Sequence, residues 1–260
     1  MRGPYLYRGA VQIVEVLAPV LGARCLVVGA DDGSCVVVDA GAGVAARVES
    51  VVRERGWIVR AVLATHGHLD HTWDCGVLSA RWDVPVLLHR DDVYRLADPF
   101  GTLGVLGAGV AGAASDATSP LGEALRAAGV DPGAYVRPAR VEPFGVEPGV
   151  GGRSADVELV LGGVRLVARH APGHTEGSTL YLLDASAGGG VLVPVVLAGD
   201  VLFAGSVGRT DLPGGDAVVM ARTLREVVAV LPPGARVLPG HGPASDVASE
   251  LRRNPYLAGV

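Results

Sequence analysis

Thr65-His66-Gly67-His68-Leu69-Asp70-His71 gathers three imidazoles and a carboxylate into six consecutive residues. It follows directly on Ile58–Leu63, an apolar run that reads as a short buried strand. On a loop at a strand end, alternate residues His66 and His68 can point the same way, while Asp70 and His71 turn toward a neighbouring position. Imidazole and carboxylate are the borderline and hard donors that divalent metals take. The competing reading is a surface loop that happens to collect histidines, and the density of donors argues against it.

Working outward, the same arrangement recurs three times: a ligand-type residue just past an apolar strand and beside glycine, which permits the tight backbone turn. His174 lies in His170-Ala171-Pro172-Gly173-His174-Thr175-Glu176-Gly177-Ser178, Asp200 ends Val195-Val196-Leu197-Ala198-Gly199-Asp200, and His241 lies in Val237-Leu238-Pro239-Gly240-His241-Gly242. Any one alone reads as structural, since an aspartate after a strand is commonly a helix cap. Together with the first cluster they use five of the seven histidines. The other two, His89 and His170, read as structural or supporting.

The flanking chain is rich in strands. Gln12–Leu17, Arg24–Val28 and Cys35–Asp39 are β-branched runs, the last two joined by the turn Asp31-Asp32-Gly33-Ser34. Ala42–Arg55 has helical spacing with Gly56 as a stop. Trp73–Trp82 reads as a helix and Val84–Leu88 as a strand. After them, residues 98–150 are irregular and rich in Gly, Ala and Pro, with a short helix around Leu121–Ala128. Val157–Leu161, Val164–His170, Ser178–Leu183 and Val191–Leu197 return to strands. A helix over Asp216–Leu231, a strand at Arg236–Leu238 and a helix near Ser245–Arg252 close the chain. Two strand-rich halves, each closed by helices, predict two sheets face to face with helices outside. Residues 1–260 read as one domain with an insertion at about 98–150, since no linker separates halves.

Composition narrows the function classes. The chain has 260 residues, 49% hydrophobic and 19% charged, which is globular rather than disordered. A net charge of −5 disfavours nucleic acid and anionic membranes as partners. No signal peptide or membrane span is legible, and a cytoplasmic location is the default. Cys25, Cys35 and Cys75 form no disulfide framework. Cys25 and Cys35 lie where a hairpin can set them face to face, although ordinary buried thiols are the simpler expectation.

These motifs resemble the metallo-β-lactamase superfamily, and within it the short glyoxalase II-like (hydroxyacylglutathione hydrolase-like) hydrolases. The resemblance runs from about residue 12 to 257, excluding most of 98–150. It rests on Thr65–His71, Ala171–Ser178, Gly199–Phe203 continuing to Gly208–Gly215, Leu238–Gly242 and Asn254–Leu257. It implies an α/β fold, the four-layer αββα sandwich, with a binuclear metal site at one edge. By it, His66, His68 and His174 take a first divalent ion and Asp70, His71 and His241 a second, with Asp200 bridging. The ions are expected to be Zn2+, with Fe or Mn compatible. Asp39 matches a position that supports a ligand imidazole, and Asp70 both ligates and orients the nucleophile. The reaction implied is hydrolysis of a small-molecule thioester. Glyoxalase II enzymes grip glutathione with basic residues that include lysine. This chain has no Lys and departs from that pattern, which makes another low-molecular-weight thiol conjugate a reasonable substrate beside glutathione. A mononuclear iron persulfide dioxygenase shares the ligand frame, and a non-catalytic metal-binding protein is the alternative of another class. The insertion is expected to wall the site with Leu103, Val105, Leu106 and Val110, and Arg209 and Asp211 to form a bracing ion pair.

Overall fold

The computed structural model describes residues 11–106, 119–145, 155–186 and 192–259. The first half builds a sheet of six strands in sequence order. Strands β1 (Val11–Leu17), β2 (Arg24–Ala30) and β3 (Ser34–Val38) form an antiparallel meander. Helix α1 (Ala45–Arg55) then returns the chain, stopped by Gly56 in the left-handed conformation at φ 65°. Its return makes β4 (Ile58–Leu63) parallel to β3. After the short α2 (Leu69–Thr72) and α3 (Cys75–Trp82), β5 (Val86–His89) pairs parallel with β4.

The helix expected over Trp73–Trp82 is α3, which starts two residues later and ends at the same residue. Asp74 precedes its first turn, and its carboxylate accepts the Ala45 N–H at 2.8 Å, tying α3 to α1.

The segment after residue 98 is more ordered than its composition suggests. It contains α4 (Pro120–Ala127), capped by the Ser119 hydroxyl. It also contains β6 (Val141–Phe144), which pairs parallel with β5 and completes the first sheet. Residues 98–150 are therefore not an insertion lying wholly outside the sheets. Pro143 disguises β6 in the sequence, and proline is tolerated there because β6 is an edge strand. Residues 107–118 and 146–150 of this segment lie outside the described residues.

The second sheet runs β14-β13-β10-β9-β8-β7. Strands β7 (Val157–Leu161), β8 (Val164–His170), β9 (Thr179–Ser186) and β10 (Leu192–Gly199) form an antiparallel meander. A small hairpin, β11 (Leu202–Phe203) with β12 (Ser206–Val207), leads to α5 (Ala217–Thr223). The chain continues from α5 through a π-helical turn at Leu224–Val228, in place of one regular helix. It returns as β13 (Arg236–Pro239), parallel to β10, and closes with β14 (Ser245–Asp246) and α6 (Val247–Arg253).

The inner faces of the two sheets share one core, with Leu26, Val36, Val38 and Leu63 against Leu166, Tyr181, Val195 and Leu197. α1 and α3 cover the outside of the first sheet through Val48, Val52 and Leu78. α5, the π turn and α6 cover the second through Met220, Val227 and Val247. The result is the four-layer αββα sandwich. All three cysteines are buried free thiols. Cys35 lies opposite Gly29 and Cys25 opposite Val16, so the two do not face each other across the hairpin.

Candidate metal centre

Five chain segments deliver seven side chains to the edge where β4, β10 and β13 end. His66 and His68 follow β4, and Asp70 and His71 lie in α2, which opens right after His68. His174 sits in the turn after β8, Asp200 follows β10, and His241 follows β13. A β-carbon at residue 240 would overlap Asp200 Oδ1 and come within 2.6 Å of His71 Cε1, so Gly240 allows the backbone to close on the centre. His66, His68 and His174 form one group of donor atoms, and Asp70, His71 and His241 another, each within 4.8 Å. Asp200 lies between them: its Oδ2 is 3.7 Å from His174 Nε2 and 3.6 Å from His241 Nε2.

Hydrogen bonds on the outward side fix which ring nitrogen faces the centre. Thr65 donates its hydroxyl proton to Asp39 Oδ2 at 2.8 Å, so its oxygen accepts from His66 Nδ1 at 3.1 Å. His174 Nδ1 donates to the Arg209 carbonyl at 2.7 Å and His241 Nδ1 to the Leu21 carbonyl at 3.1 Å. His71 Nδ1 donates to Asp39 Oδ2 at 3.1 Å, the imidazole support expected of Asp39. In neutral imidazoles this leaves all four Nε2 lone pairs pointing inward. His68 presents Nδ1 instead, 3.1 Å from His66 Nε2 and 2.9 Å from His174 Nε2. Lone pairs this close repel unless a proton or cation sits among them. Asp200 Oδ1 is buried with no hydrogen-bond partner among the described residues, and leaving a carboxylate oxygen so is costly. These donors fit divalent ions.

The electrostatics favour positive charge at the same place. Burial alone would depress the His71 imidazole, but Asp200, Asp70 and Asp39 outweigh it and hold it well above its ordinary value. Burial likewise opposes ionisation of Asp70, and His71 and His241 overcome it, pulling the carboxyl below its usual range. His66 and His68 are kept neutral, first by burial and then by neighbouring imidazoles.

Two bracing groups were not legible in the sequence. Asp92, fully buried, accepts the Gly67 N–H at 2.7 Å, the Thr175 hydroxyl at 2.7 Å and the Gly177 N–H at 2.8 Å. It thereby ties the loop of His66 and His68 to the loop of His174. Arg95, also fully buried, pairs with Asp92 and Glu176 and donates to the Pro213 carbonyl at 2.9 Å. In sequence, His89-Arg90-Asp91-Asp92 reads as a solvated charged run, so only the fold shows that Asp92 points inward. On the other side Arg24 donates to the carbonyls of Pro239 and Gly242, which bracket His241.

His89 and His170 stay off the centre. Their rings stack on each other at 4.1 Å, with 10° between planes. Arg209 and Asp211 form the expected ion pair, bidentate with both contacts at 2.7 Å.

Above the centre lies a cavity of about 390 Å³, floored by His68, Asp70, His174, Asp200 and His241. Its walls include Leu21, Leu69, Leu103, Leu106, Leu121 and Leu212. Leu103 and Leu106 stand where the sequence placed the apolar wall, while the Val105 side chain and Val110 lie outside the described residues. Leu103 is anchored in a small cluster with Trp73, Phe100 and Leu125.

A family profile of the metallo-beta-lactamase superfamily matches residues 18–241. The chain belongs to that superfamily. It is 31% identical over 229 residues to the "Probable metallo-hydrolase YqgX" of Bacillus subtilis, covering 88% of this chain and 89% of the relative. It is 25% identical to the "Hydroxyacylglutathione hydrolase GloC" of Haemophilus influenzae, over 95% of this chain and 97% of that one. Among solved structures, TTHA1623 in a di-iron-bound form superposes with a TM-score of 0.66 at 28% identity, covering 94% of this chain and 100% of that one. Superfamily membership and the His/Asp cluster together indicate divalent metal binding and support a metal-dependent hydrolase. No helix among the described residues is long and apolar enough to cross a membrane.

Proposed function

We propose that this metallo-β-lactamase-fold chain is a binuclear thioester hydrolase of glyoxalase II type, acting on a small thiol thioester. The observation that carries the reading is the division of the donors into two groups, with the Asp200 carboxylate between them. His66, His68 and His174 would hold one ion, Asp70, His71 and His241 the other, and Asp200 would reach both. Five imidazoles and two carboxylates suit zinc, and iron or manganese is compatible. The distant likeness to a hydroxyacylglutathione hydrolase points the same way for the substrate bond.

Two ions bound there would polarise the substrate carbonyl and lower the pKa of a shared water from about 16 to roughly 7, supplying hydroxide at neutral pH. The chain's own residues do the rest. The Asp70 carboxylate orients the nucleophile by accepting its hydrogen bond. His174, His71 and His241 are held in register through Arg209, Asp39 and Leu21 respectively. Addition of hydroxide to the acyl carbon forms the new C–O bond, and collapse of the adduct breaks the C–S bond, so that a carboxylate forms and the thiolate leaves as an anion without a strong general acid. No side-chain nucleophile is required: burial pushes the Cys75 thiol far up, and its Sγ lies against the His71 carbonyl at 3.8 Å. The partner is a small molecule rather than nucleic acid or membrane, in keeping with the net charge of −5. Free thiols suit a cytoplasmic setting.

The test is metal analysis of protein purified without added metal, paired with thioester hydrolysis and oxygen-uptake assays. Two ions per chain and thioester cleavage are expected. One iron per chain with oxygen consumed on a persulfide would overturn the reading in favour of a dioxygenase.

A further inference from the structure

We infer that the substrate carries a neutral, apolar acyl group that fills the leucine-walled cavity, on a thiol that brings no cluster of negative charge. This rests on the thioesterase reading and narrows it to a substrate class.

The first support is what the walls lack. Among the described residues, Arg209 is the one Arg or Lys on the cavity lining, beside the imidazoles of His68, His174 and His241. Asp211 already engages its Nε and one terminal nitrogen. Beyond the metal centre, a thiol bearing two carboxylates, as glutathione does, meets no Arg or Lys other than Arg209 on the described lining, whereas an alkyl or aryl group finds leucine on several sides. At about 390 Å³ the cavity falls in the size range that buries most of a small organic ligand.

The second support is a local misfit. Leu21 and Gly22 have φ of 55° and 66°, so the turn between β1 and β2 places both central residues in the left-handed region. Such turns favour Asn or Asp before the glycine. Leucine there is strained by its β-carbon, yet its side chain is 57% exposed and no core is gained by it. That side chain lines the cavity mouth, while its carbonyl accepts from His241 Nδ1. A strained, exposed leucine at the rim is explained by contact with an apolar ligand.

The experiment uses metal-loaded protein and straight-chain acyl thioesters, acetyl to octanoyl, of N-acetylcysteamine and of glutathione. In wild type, kcat/KM is expected to rise about fourfold per added methylene, at least to hexanoyl, the fold-change for burying one methylene. In Leu21→Asn, which suits the turn and keeps or raises Tm, the gain per methylene is expected to fall below about twofold. A flat or falling series in wild type would overturn the inference. So would at least a tenfold preference for the glutathione ester of a given acyl group. Calorimetric binding of acetate through octanoate separates this from the parent reading. If no thioester is cleaved but affinity still climbs with chain length, the cavity assignment stands and the thioesterase falls. If acetate and octanoate bind alike, the apolar occupant is wrong, whatever is hydrolysed.

Discussion

Asp39 adopts φ 58°, a conformation that non-glycine residues other than Asn and Asp seldom take. There its two oxygens accept from the Thr65 N–H, the Thr65 hydroxyl and His71 Nδ1. An asparagine would keep one oxygen and turn an amide N–H2 toward His71. The imidazole would then have to place its proton on Nε2 and lose the inward lone pair. Asp39→Asn is expected to weaken metal binding by about 10- to 100-fold, measured by competition with a chromogenic chelator; unchanged affinity would remove Asp39 from the support of His71. On the proposed mechanism, Asp70→Ala takes away both a donor and the group that orients the nucleophile, at a position that contributes little to the core. Its turnover is expected to fall more than tenfold, above about 1.4 kcal/mol of barrier, with the circular dichroism spectrum retained. Retention of a tenth or more of the wild-type rate would rule out this role. At this scale the sequence was highly legible, because ligand chemistry leaves few substitutes for His and Asp. All seven donors stood out beside turns. Apart from Asp39, which the family resemblance implied, the partners that orient them did not, because Thr65, the Leu21 carbonyl and the Arg209 carbonyl carry no metal signature.

Elements show the opposite balance. The strand cores were readable from their β-branched runs, and Ile58–Leu63, Val157–Leu161 and Val164–His170 match the observed bounds. What failed were places where a tertiary partner decides local structure. β6 forms despite Pro143 because β5 offers an edge. The same cause hid Asp92, which lies in the helical turn Arg90–Leu96 after β5. Its role is to lock two ligand loops from different sheets. Asp92→Asn leaves one acceptor oxygen for the donors of Gly67, Thr175, Gly177 and Arg95, and removes the charge facing a buried guanidinium. Breaking a buried pair in this way costs about 3–5 kcal/mol. Tm is expected to drop on the order of 10 °C for a chain of this size, with weaker metal binding as well. Asp92→Glu, which restores the charge, should recover more of the metal affinity than Asn does. Equal metal affinity in wild type and Asn variant would reduce Asp92 to a packing residue.

At the scale of the whole molecule, two further contacts join the sheets at the site edge. One is the stack of His89 from β5 on His170 from β8. Burial first, then the neighbouring His170 and Arg90, depress His89 to about 3. A histidine with a lowered folded-state pKa binds its proton more readily when unfolded. Its stabilising effect is therefore complete above about pH 6.5 and is lost as the pH falls from there toward 3. Relative to His89→Asn, whose side-chain oxygen can still accept the Asp91 N–H, wild type is expected to lose about 1.4 kcal/mol per pH unit in that window. Denaturant unfolding of both proteins from pH 7 to 4 measures it, and parallel curves would refute it. The other contact is the centre itself. His66, His68 and His71 come from the first sheet and His174, Asp200 and His241 from the second. An ion held by both therefore clamps the sandwich shut, and it is bound only when the two halves are together. By mass action, metal at a thousand times its dissociation constant adds about 4 kcal/mol per site. At roughly 2–4 °C per kcal/mol, stripping one tightly held ion should lower Tm on the order of 10 °C. The measurement is calorimetry before and after chelation, with metal content assayed on the same samples, followed by return of zinc. Recovery of Tm on zinc addition is expected. A Tm indifferent to verified metal removal would mean that the donors are already held in place without an ion, and that the metal contributes chemistry alone.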